Sequence, residues 1–400
     1  MTLFASLPVP LPSVMAALSL LAHVTAVLLL TGMSVRLIAN LRFLREARQL
    51  ARRPPEQLPR VSVLIPARNE AATIEACVTS LMRQRYPDVE VIILDDGSTD
   101  GTGQLLDSLQ ARYPDLKVIH STDDPPHGWN GKSYACHLLA RHATGDWLLF
   151  TDADTVHLPY SIHYGLAQAQ RLDIDLLSAF PYQRTVTWSE RVVVSFIVDF
   201  LPRVSVDFRG LWRGTSNNVL ANGQYLLART SSYYAIGGHA SIHDALIDDF
   251  ALARRFRQCA YKVALVDGVS QLQCRMYHSL REVQVGFAKN VLGALISTYL
   301  KRRARWLAPL FAWGYACIFV VPFFNLLLSQ FRVLAIIEIA WLLLLRVLAG
   351  WSIRRPLSEM LTTPLAAWFV MALGLDSLYR RWRKRSVMWK GRVYPDTGTR

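Results

Sequence analysis

The chain is poor in cysteine and relatively poor in acid. Its five cysteines among 400 residues show no paired spacing, which argues against a disulfide framework and against a zinc site. The central region therefore fits a reducing, cytosolic setting. The 30 acidic residues stand against 44 basic ones, which gives a formal charge of +14 at pH 7. No internal repeat or low-complexity tract occurs.

Charge is missing altogether from one N-terminal stretch. Residues 13–35 carry no charged side chain and are long enough to span a bilayer. A cleavable signal peptide would need a basic start, but residues 1–12 are uncharged and Arg36 follows the apolar run. We therefore expect an uncleaved transmembrane anchor at residues 13–38, followed by a basic linker that ends near Pro59.

Further apolar stretches lie in the C-terminal part. Residues 306–330 are uncharged, and residues 333–350 also have the length of a span although they contain Glu338 and Arg346. Charged residues at such depth usually face protein. Residues 361–375 are shorter, which favours a re-entrant or interfacial segment. We expect a C-terminal membrane region at 306–380 with two full spans, unless residues 361–378 cross as well.

Basic residues are concentrated beside these apolar stretches. They follow the first, precede the second and follow the last: Arg36, Arg42, Arg45, Arg48, Arg52, Arg53; Lys301, Arg302, Arg303, Arg305; Arg380, Arg381, Arg383, Lys384 and Arg385. This placement follows the positive-inside rule and favours a lipid bilayer over nucleic acid as the partner. We expect a multi-pass cell-membrane protein with a cytosolic catalytic domain, an amphipathic interfacial segment at 280–305 and a basic cytosolic tail at 381–400.

The central residues alternate between two patterns. Apolar runs at 61–65, 91–94, 116–119 and 147–150 are separated by amphipathic stretches such as 70–83 and 102–112. This alternation predicts an α/β domain at 60–275 with a parallel sheet. Polar residues that follow such strands meet at the carboxyl edge of the sheet, where ligands bind.

Two aspartates in a D-x-D pattern follow the run at 147–150. Asp152 and Asp154 can point the same way and converge on one cation. A nucleoside diphosphate leaving group needs a divalent ion, and Mg²⁺ or Mn²⁺ prefers hard oxygen ligands. The pair therefore predicts a metal site with Asp152 also near the nucleotide sugar, although solvated turn aspartates would show the same pattern.

Polar residues also end the first two strands. Asp95 and Asp96 follow the run at 91–94, where carboxylates accept hydrogen bonds from a base and a ribose. A simpler role, capping the helix that starts near 102, is open to Ser98 or Asp100. The first strand ends similarly, and the candidates for nucleotide-sugar binding there are Pro66, Arg68 and Glu70.

A lysine and two further aspartates complete the set. Lys132 follows Gly131 outside any P-loop pattern, and either contacts the nucleotide phosphates or lies on the surface. Of the adjacent Asp248 and Asp249, one can deprotonate an acceptor, although such a pair also suits a helix N-terminus. Between these motifs lie three candidates for the acceptor side, which equally suit a turn and a helix end: Asn222, Gln224 and Gly238.

In this order the motifs resemble those of the family 2 glycosyltransferases, over about residues 60–270. The resemblance implies a GT-A, Rossmann-like nucleotide-sugar-binding fold with flanking transmembrane helices, and an inverting mechanism. It also implies nucleoside-binding acids at Asp95 and Asp96, a metal-binding pair at Asp152 and Asp154, and a catalytic base at Asp249 beside Asp248. Segments 128–132, 222–224, 275–277, 286–290 and 389–394 are similar to membrane glycosyltransferases that act on carotenoids, and the first is shared with hopanoid-associated enzymes.

The chain departs from one pattern of the family. Processive polysaccharide synthases carry Q-x-x-R-W shortly after the base, whereas residues 286–290 differ and residues 302–306 match imperfectly and too far downstream. The resemblance therefore implies transfer of a single hexose, glucose from UDP-glucose, to a hydroxyl or carboxyl of a terpenoid lipid. The alternatives are another lipid acceptor (a hopanoid, a ceramide-like lipid or a polyprenyl phosphate), a processive synthase, and a scaffold without catalysis.

Overall fold

The central domain is built on a seven-stranded mixed sheet. The computed structural model describes residues 11–121, 124–216, 219–245, 247–287, 308–327, 329–382, 387–389 and 392–394. The strands are β1 Val61–Ala67, β2 Val89–Asp96, β3 Leu116–Ser121, β4 Trp147–Phe150, β5 Thr155–His157, β6 Leu176–Phe180, β7 Tyr182–Gln183, β8 Leu226–Arg229, β9 Val263–Asp267, β10 Leu272–Cys274, β11 Val387–Trp389 and β12 Arg392–Tyr394. The large sheet has the order β3-β2-β1-β4-β8-β6-β9, and β5-β10-β7 form a small second sheet.

The first four strands of the large sheet are parallel, as the apolar runs predict. β1 pairs in parallel with β2 and β4, and β2 with β3, while β8 runs antiparallel between β4 and β6. The register places Ala67 opposite Asp95 and Asp95 opposite His120. The polar residues that follow these strands therefore meet at one edge, and the parallel pairing confirms the predicted α/β fold class.

Helices cover both faces of this sheet. They are α1 Leu11–Leu50, α2 Ile74–Leu81, α3 Thr102–Arg112, α4 Gly131–His142, α5 Ser161–Arg171, α6 Leu201–Ser205, α7 Phe208–Arg213, α8 Thr230–Ala235 and α9 Asp248–Gln258, with a π-helix at Glu190–Phe200 and a 3₁₀ turn at Gly238–Ile242. Alternate β1 residues serve separate cores: Leu64 packs with Leu139 of α4, whereas Val63 packs with Val78 of α2.

Helix α1 is longer than the expected anchor. It continues to Leu50, so much of the predicted basic linker is helical and packs on the catalytic domain. Arg36 pairs with Asp207 at 2.7 Å, and Asn40 donates to the Arg203 carbonyl at 2.8 Å. Arg171 donates to the Leu50 carbonyl at 2.7 Å and so satisfies the end of the helix. These contacts with the domain explain why the helix does not end near residue 38.

The C-terminal helices are α10 Ala308–Phe319, α11 Val321–Asn325, α12 Arg332–Trp351, α13 Leu357–Met360 and α14 Thr363–Trp382, with a 3₁₀ turn at Ser329–Phe331. The expected single helix over 306–330 is interrupted before Pro322, which cannot donate a backbone hydrogen bond. By length and composition, the described helices long and apolar enough to cross a membrane are Val14–Leu50, within α1, and α12. Of the expected interfacial segment, residues 280–287 are helical and 288–305 lie outside the described residues, as does most of the basic tail.

Helices α1 and α12 run side by side in the same direction. His23 contacts Glu338 at 2.9 Å, Trp341 donates to Ser34 at 3.0 Å, and Arg48 donates to the Ser352 carbonyl at 3.2 Å. As expected of charged residues in an apolar helix, Glu338 and Arg346 are buried against protein.

Candidate active site

The carboxyl ends of β1, β2 and β4 bring most of the predicted residues to one edge of the sheet. A small cavity there is lined by residues from five of the sequence motifs, together with further residues of the fold: Pro66, Lys132, Asp152, Gly223 and Asp248 from the motifs, and Cys136, Phe150, Thr151, Leu226 and His239. Residues that are far apart in the sequence, such as Asp152 and Asp248, thus line the same cavity.

Asp95 and Asp96 lie at the end of β2 and are largely buried. The Ser98 N–H donates to Asp95 Oδ1 at 3.1 Å, and His120 Nδ1 lies 3.3 Å from Asp95 Oδ2. The Arg68 guanidinium donates to the Asp96 carbonyl and stands 3.7 Å from its carboxylate. A basic side chain therefore joins the ends of β1 and β2.

Asp100 accepts a hydrogen bond from the first turn of α3, although the N-cap residue itself is Gly101. Its carboxylate accepts from the Thr102 N–H at 3.1 Å, at the start of α3, and from the Ala71 N–H at 3.1 Å. Glu70 follows a turn in which Asn69 adopts a positive φ of 54°, and its side chain accepts from Thr73. The carboxylate of Asp100 therefore has a structural role, because it accepts from the backbone on both sides of it.

The D-x-D pair lies in the turn between β4 and β5. Asp152 Oδ1 is 2.7 Å from Lys132 Nζ, and Asp154 accepts from Thr155 Oγ1 at 3.4 Å. Both aspartates are partly exposed. The described part of the chain holds no cluster of three or more His, Cys, Asp or Glu side chains suited to a metal ion. A hard cation at this pair would therefore complete its shell with phosphate oxygens and water, which matches the ligand preference of Mg²⁺ and Mn²⁺.

Lys132 joins the D-x-D pair to the second acidic pair. Its Nζ lies 3.7 Å from Asp248 Oδ2 as well as close to Asp152. Burial opposes its charge, but the coulombic attraction of these two aspartates outweighs burial and holds the pKa of Lys132 well above its usual value. Lys132 is placed by Asn130, which caps α4 and donates to the Ala245 carbonyl at 3.0 Å.

Asp249 is held by two backbone donors at the start of α9. The Gly223 N–H donates to Oδ2 and the Phe250 N–H to Oδ1, both at 2.8 Å. Burial, and then the neighbouring charge of Asp248, raise the pKa of Asp249 to about 7, against the lowering effect of Lys132. A carboxylate with a pKa near neutrality is suited to take up a proton.

The three acceptor-side candidates do not occupy equivalent places. Gln224 is buried and accepts from Gln183 at 2.9 Å and from Asn222 at 3.2 Å. Gly238 has a φ of +50°, and a Cβ there would meet the Tyr233 ring. The contacts of these candidates are with neighbouring protein groups. The residue of this segment that contacts Asp249 is Gly223, through its N–H.

His239 directly follows Gly238, one of the acceptor-side candidates, and lies in the cavity. The Tyr233 hydroxyl accepts from the His239 N–H at 3.1 Å and lies 2.9 Å from His239 Nδ1. Burial lowers the pKa of His239 to about 4, so the ring is neutral at pH 7. A histidine after two glycines gives no distinctive signal, because its position depends on the fold of the 3₁₀ turn.

Comparison with known proteins identifies the domain. Residues 62–233 match the model of glycosyl transferase family 2. The chain contains a family 2 glycosyltransferase domain. The 4,4'-diaponeurosporenoate glycosyltransferase of Staphylococcus aureus (strain USA300) is 27% identical over 343 residues, covering 84% of this chain and 88% of that protein.

A solved glycosyltransferase has a similar fold. The mannosyltransferase of Pyrobaculum calidifontis, in complex with GDP-Man and Mn2+, matches with a TM-score of 0.52 at 19% identity and covers 90% of this chain and 99% of that one. The predictions of a glycosyltransferase, of its family and of a GT-A-like α/β fold are thereby confirmed.

Proposed function

We propose that this glycosyltransferase moves one glucose from UDP-glucose to a membrane terpenoid lipid such as a carotenoid, with inversion at the anomeric carbon. The observation that carries the proposal is the junction at Lys132, which joins Asp152 of the D-x-D pair to Asp248, the neighbour of Asp249. The residues proposed to stabilise the leaving group and the residue proposed to act as the base therefore lie within one site. The name of the Staphylococcus aureus relative supports a carotenoid acceptor.

The donor is assigned to the edge formed by β1, β2 and β4. Asp95 and Asp96 bind the nucleoside, with Arg68 holding the position of Asp96. Pro66, which lines the cavity, and Glu70 are assigned to the same donor side. Lys132 and Asp152 lie next to the diphosphate, where the ammonium offsets phosphate charge. Asp152 and Asp154 would hold Mg²⁺ or Mn²⁺, which supplies electrostatic stabilisation of the diphosphate as it leaves.

The transfer is assigned to Asp249. An acceptor oxygen forms a bond to the anomeric carbon while the bond from that carbon to the diphosphate breaks, and the proton of an acceptor hydroxyl passes to Asp249. An acceptor carboxylate brings no proton at neutral pH and needs no base. The two kinds of acceptor therefore differ in the pH dependence of transfer, which provides a second readout.

The enzyme is proposed to sit in the cell membrane with its catalytic domain in the cytosol. Helices α1 and α12 run in the same direction, which supports a topology in which both helices enter the membrane from the same side. Helices α10 and α11 would then carry the chain back across the membrane before α12. The basic residues in the C-terminal part of α1 and directly after it, and those of the tail, favour a cytosolic position for both segments.

The test is transfer by purified full-length protein in liposomes that contain 4,4'-diaponeurosporenoate or a terpenoid alcohol, with labelled UDP-glucose and Mn²⁺. One labelled hexose per lipid is the expected product. Longer chains of sugar would favour a processive synthase, and label transferred only to a hopanoid, a ceramide or a polyprenyl phosphate would replace the acceptor. Donor binding without any transfer would favour a scaffold.

A further inference from the structure

Five large apolar side chains form an exposed surface beside the membrane helices. They come from the loop at 184–189 and from the segment that runs from the last residue of α12 to the start of α14, and each is at least half exposed: Val186, Trp188, Trp351, Leu357 and Leu361. We call these five side chains the apolar ledge. Grouped apolar side chains of this size usually mark an interaction surface.

Buried polar contacts fasten the two halves of the ledge together. Thr185 Oγ1 donates to Glu359 Oε1 at 2.7 Å, and Arg355 donates to Asp199 Oδ2 at 2.8 Å. The Arg355 guanidinium also stacks over the Tyr182 ring, 4.4 Å from its centre. Because Arg355 and Glu359 are buried, these contacts are protected from water, and the ledge is one surface rather than two independent loops.

The surroundings of the ledge favour a lipid surface. Leu344, Leu348 and Trp351 share an exposed face of α12, so the apolar face of a helix long enough to cross a membrane leads directly into the ledge. Exposed Arg184 and Arg354 stand among its members. Tryptophan concentrates at membrane interfaces, and arginine is attracted to anionic lipid headgroups. A water-facing protein partner would not account for the continuity with α12.

A short, hydrogen-bonded path leads from the ledge to the base. Gln183, directly before the loop, donates to Gln224 at 2.9 Å, and Gln224 follows Gly223, whose N–H holds Asp249. The Arg184 N–H donates to the Cys274 carbonyl at 2.7 Å, which anchors the start of the loop. The ledge is therefore fixed relative to Asp249.

We propose that the apolar ledge dips into the anionic membrane leaflet and is the surface along which the lipid acceptor reaches Asp249. The acceptor role rests on the proposed function, whereas the position of the ledge in the bilayer does not.

The position is tested by spin labelling of the full-length protein in vesicles that contain phosphatidylglycerol. The background is Cys259→Ser, because the other four cysteines are buried. Labels at Trp188→Cys and Leu357→Cys should collide more with oxygen than with a water-soluble nickel chelate. A matched label at Ala111→Cys, exposed on α3 at the opposite edge of the sheet, should show the reverse. Labels at 188 and 357 that behave like the label at 111 would overturn the proposal.

The acceptor role is tested by Trp188→Glu combined with Leu357→Glu. This variant should lose transfer to 4,4'-diaponeurosporenoate in liposomes and keep wild-type affinity for UDP, whereas Ala111→Glu should keep both. Wild-type transfer by the double variant would refute the acceptor role. If the wild-type protein transfers nothing, the proposed function fails, and the spin-label result still decides whether the ledge enters the bilayer.

Discussion

The raised pKa of Asp249 leads to a quantitative prediction about the rate of transfer to a hydroxyl. With a pKa of about 7 in place of 3.8, the carboxylate is about nine-tenths ionised at pH 8 and about one-hundredth ionised at pH 5. If Asp249 is the base, kcat/KM should therefore fall by roughly 90-fold between pH 8 and pH 5. A carboxylate with the ordinary pKa would stay ionised over this range, and the rate would hardly change.

Two variants test the cause of the shift. Asp248→Asn removes the neighbouring negative charge, so the inflection of the pH profile should move to lower pH. Lys132→Met removes the lysine charge that favours ionised Asp249, so the inflection should move to higher pH. Initial rates with UDP-glucose and a terpenoid alcohol in liposomes give the profiles. Asp249→Asn keeps the size of the side chain but removes the base, so it should slow transfer by roughly 10²–10⁴-fold.

The reasoning would be refuted by a flat profile with the alcohol acceptor. It would also be refuted if Asp249→Asn kept the wild-type rate. If Asp248→Asn were the slower of the two variants, the base would be misassigned by one position.

Three further predictions concern metal, donor and topology. Transfer should require Mg²⁺ or Mn²⁺ and stop in EDTA, and full activity of an Asp152→Asn/Asp154→Asn variant would contradict the metal site. Asp96→Asn should weaken UDP binding, measured by calorimetry, more than it slows transfer at saturating donor. An unchanged affinity for UDP would show that Asp96 does not contact the nucleoside. Cysteine labelling should place residues 52–60 and the tail at 381–400 on the same cytosolic side, and an external tail would mean that residues 361–378 span the membrane.

The site edge of the sheet was predictable from local patterns. Apolar runs that are followed by Asp95 or Asp152 place those carboxylates at the carboxyl ends of parallel strands. In the structure Asp95 pairs with Ala67 at the end of β2, and β4 ends two residues before Asp152. The sequence also left a helix-capping role open for Ser98 or Asp100, and in the structure Asp100 accepts from the first N–H of α3 while the N-cap residue is Gly101.

Contacts between distant segments were not predictable. Three such contacts depend on how separate loops meet. The Gly223 N–H donates to Asp249, Lys132 lies between Asp152 and Asp248, and burial keeps His239 neutral. The length of α1 likewise depends on its packing against the domain, because hydropathy alone ends the anchor near the first arginine.

Mass spectrometry of lipid extracts from cells that differ only in this gene tests the central claim most directly. We predict a terpenoid lipid that is heavier by one hexose residue, present with the wild-type gene and absent with the deletion. If the acceptor group is a hydroxyl, Asp249→Asn should strongly reduce the amount of this lipid. Extracts without any hexose-bearing terpenoid, or with lipids that carry long sugar chains, would contradict the account.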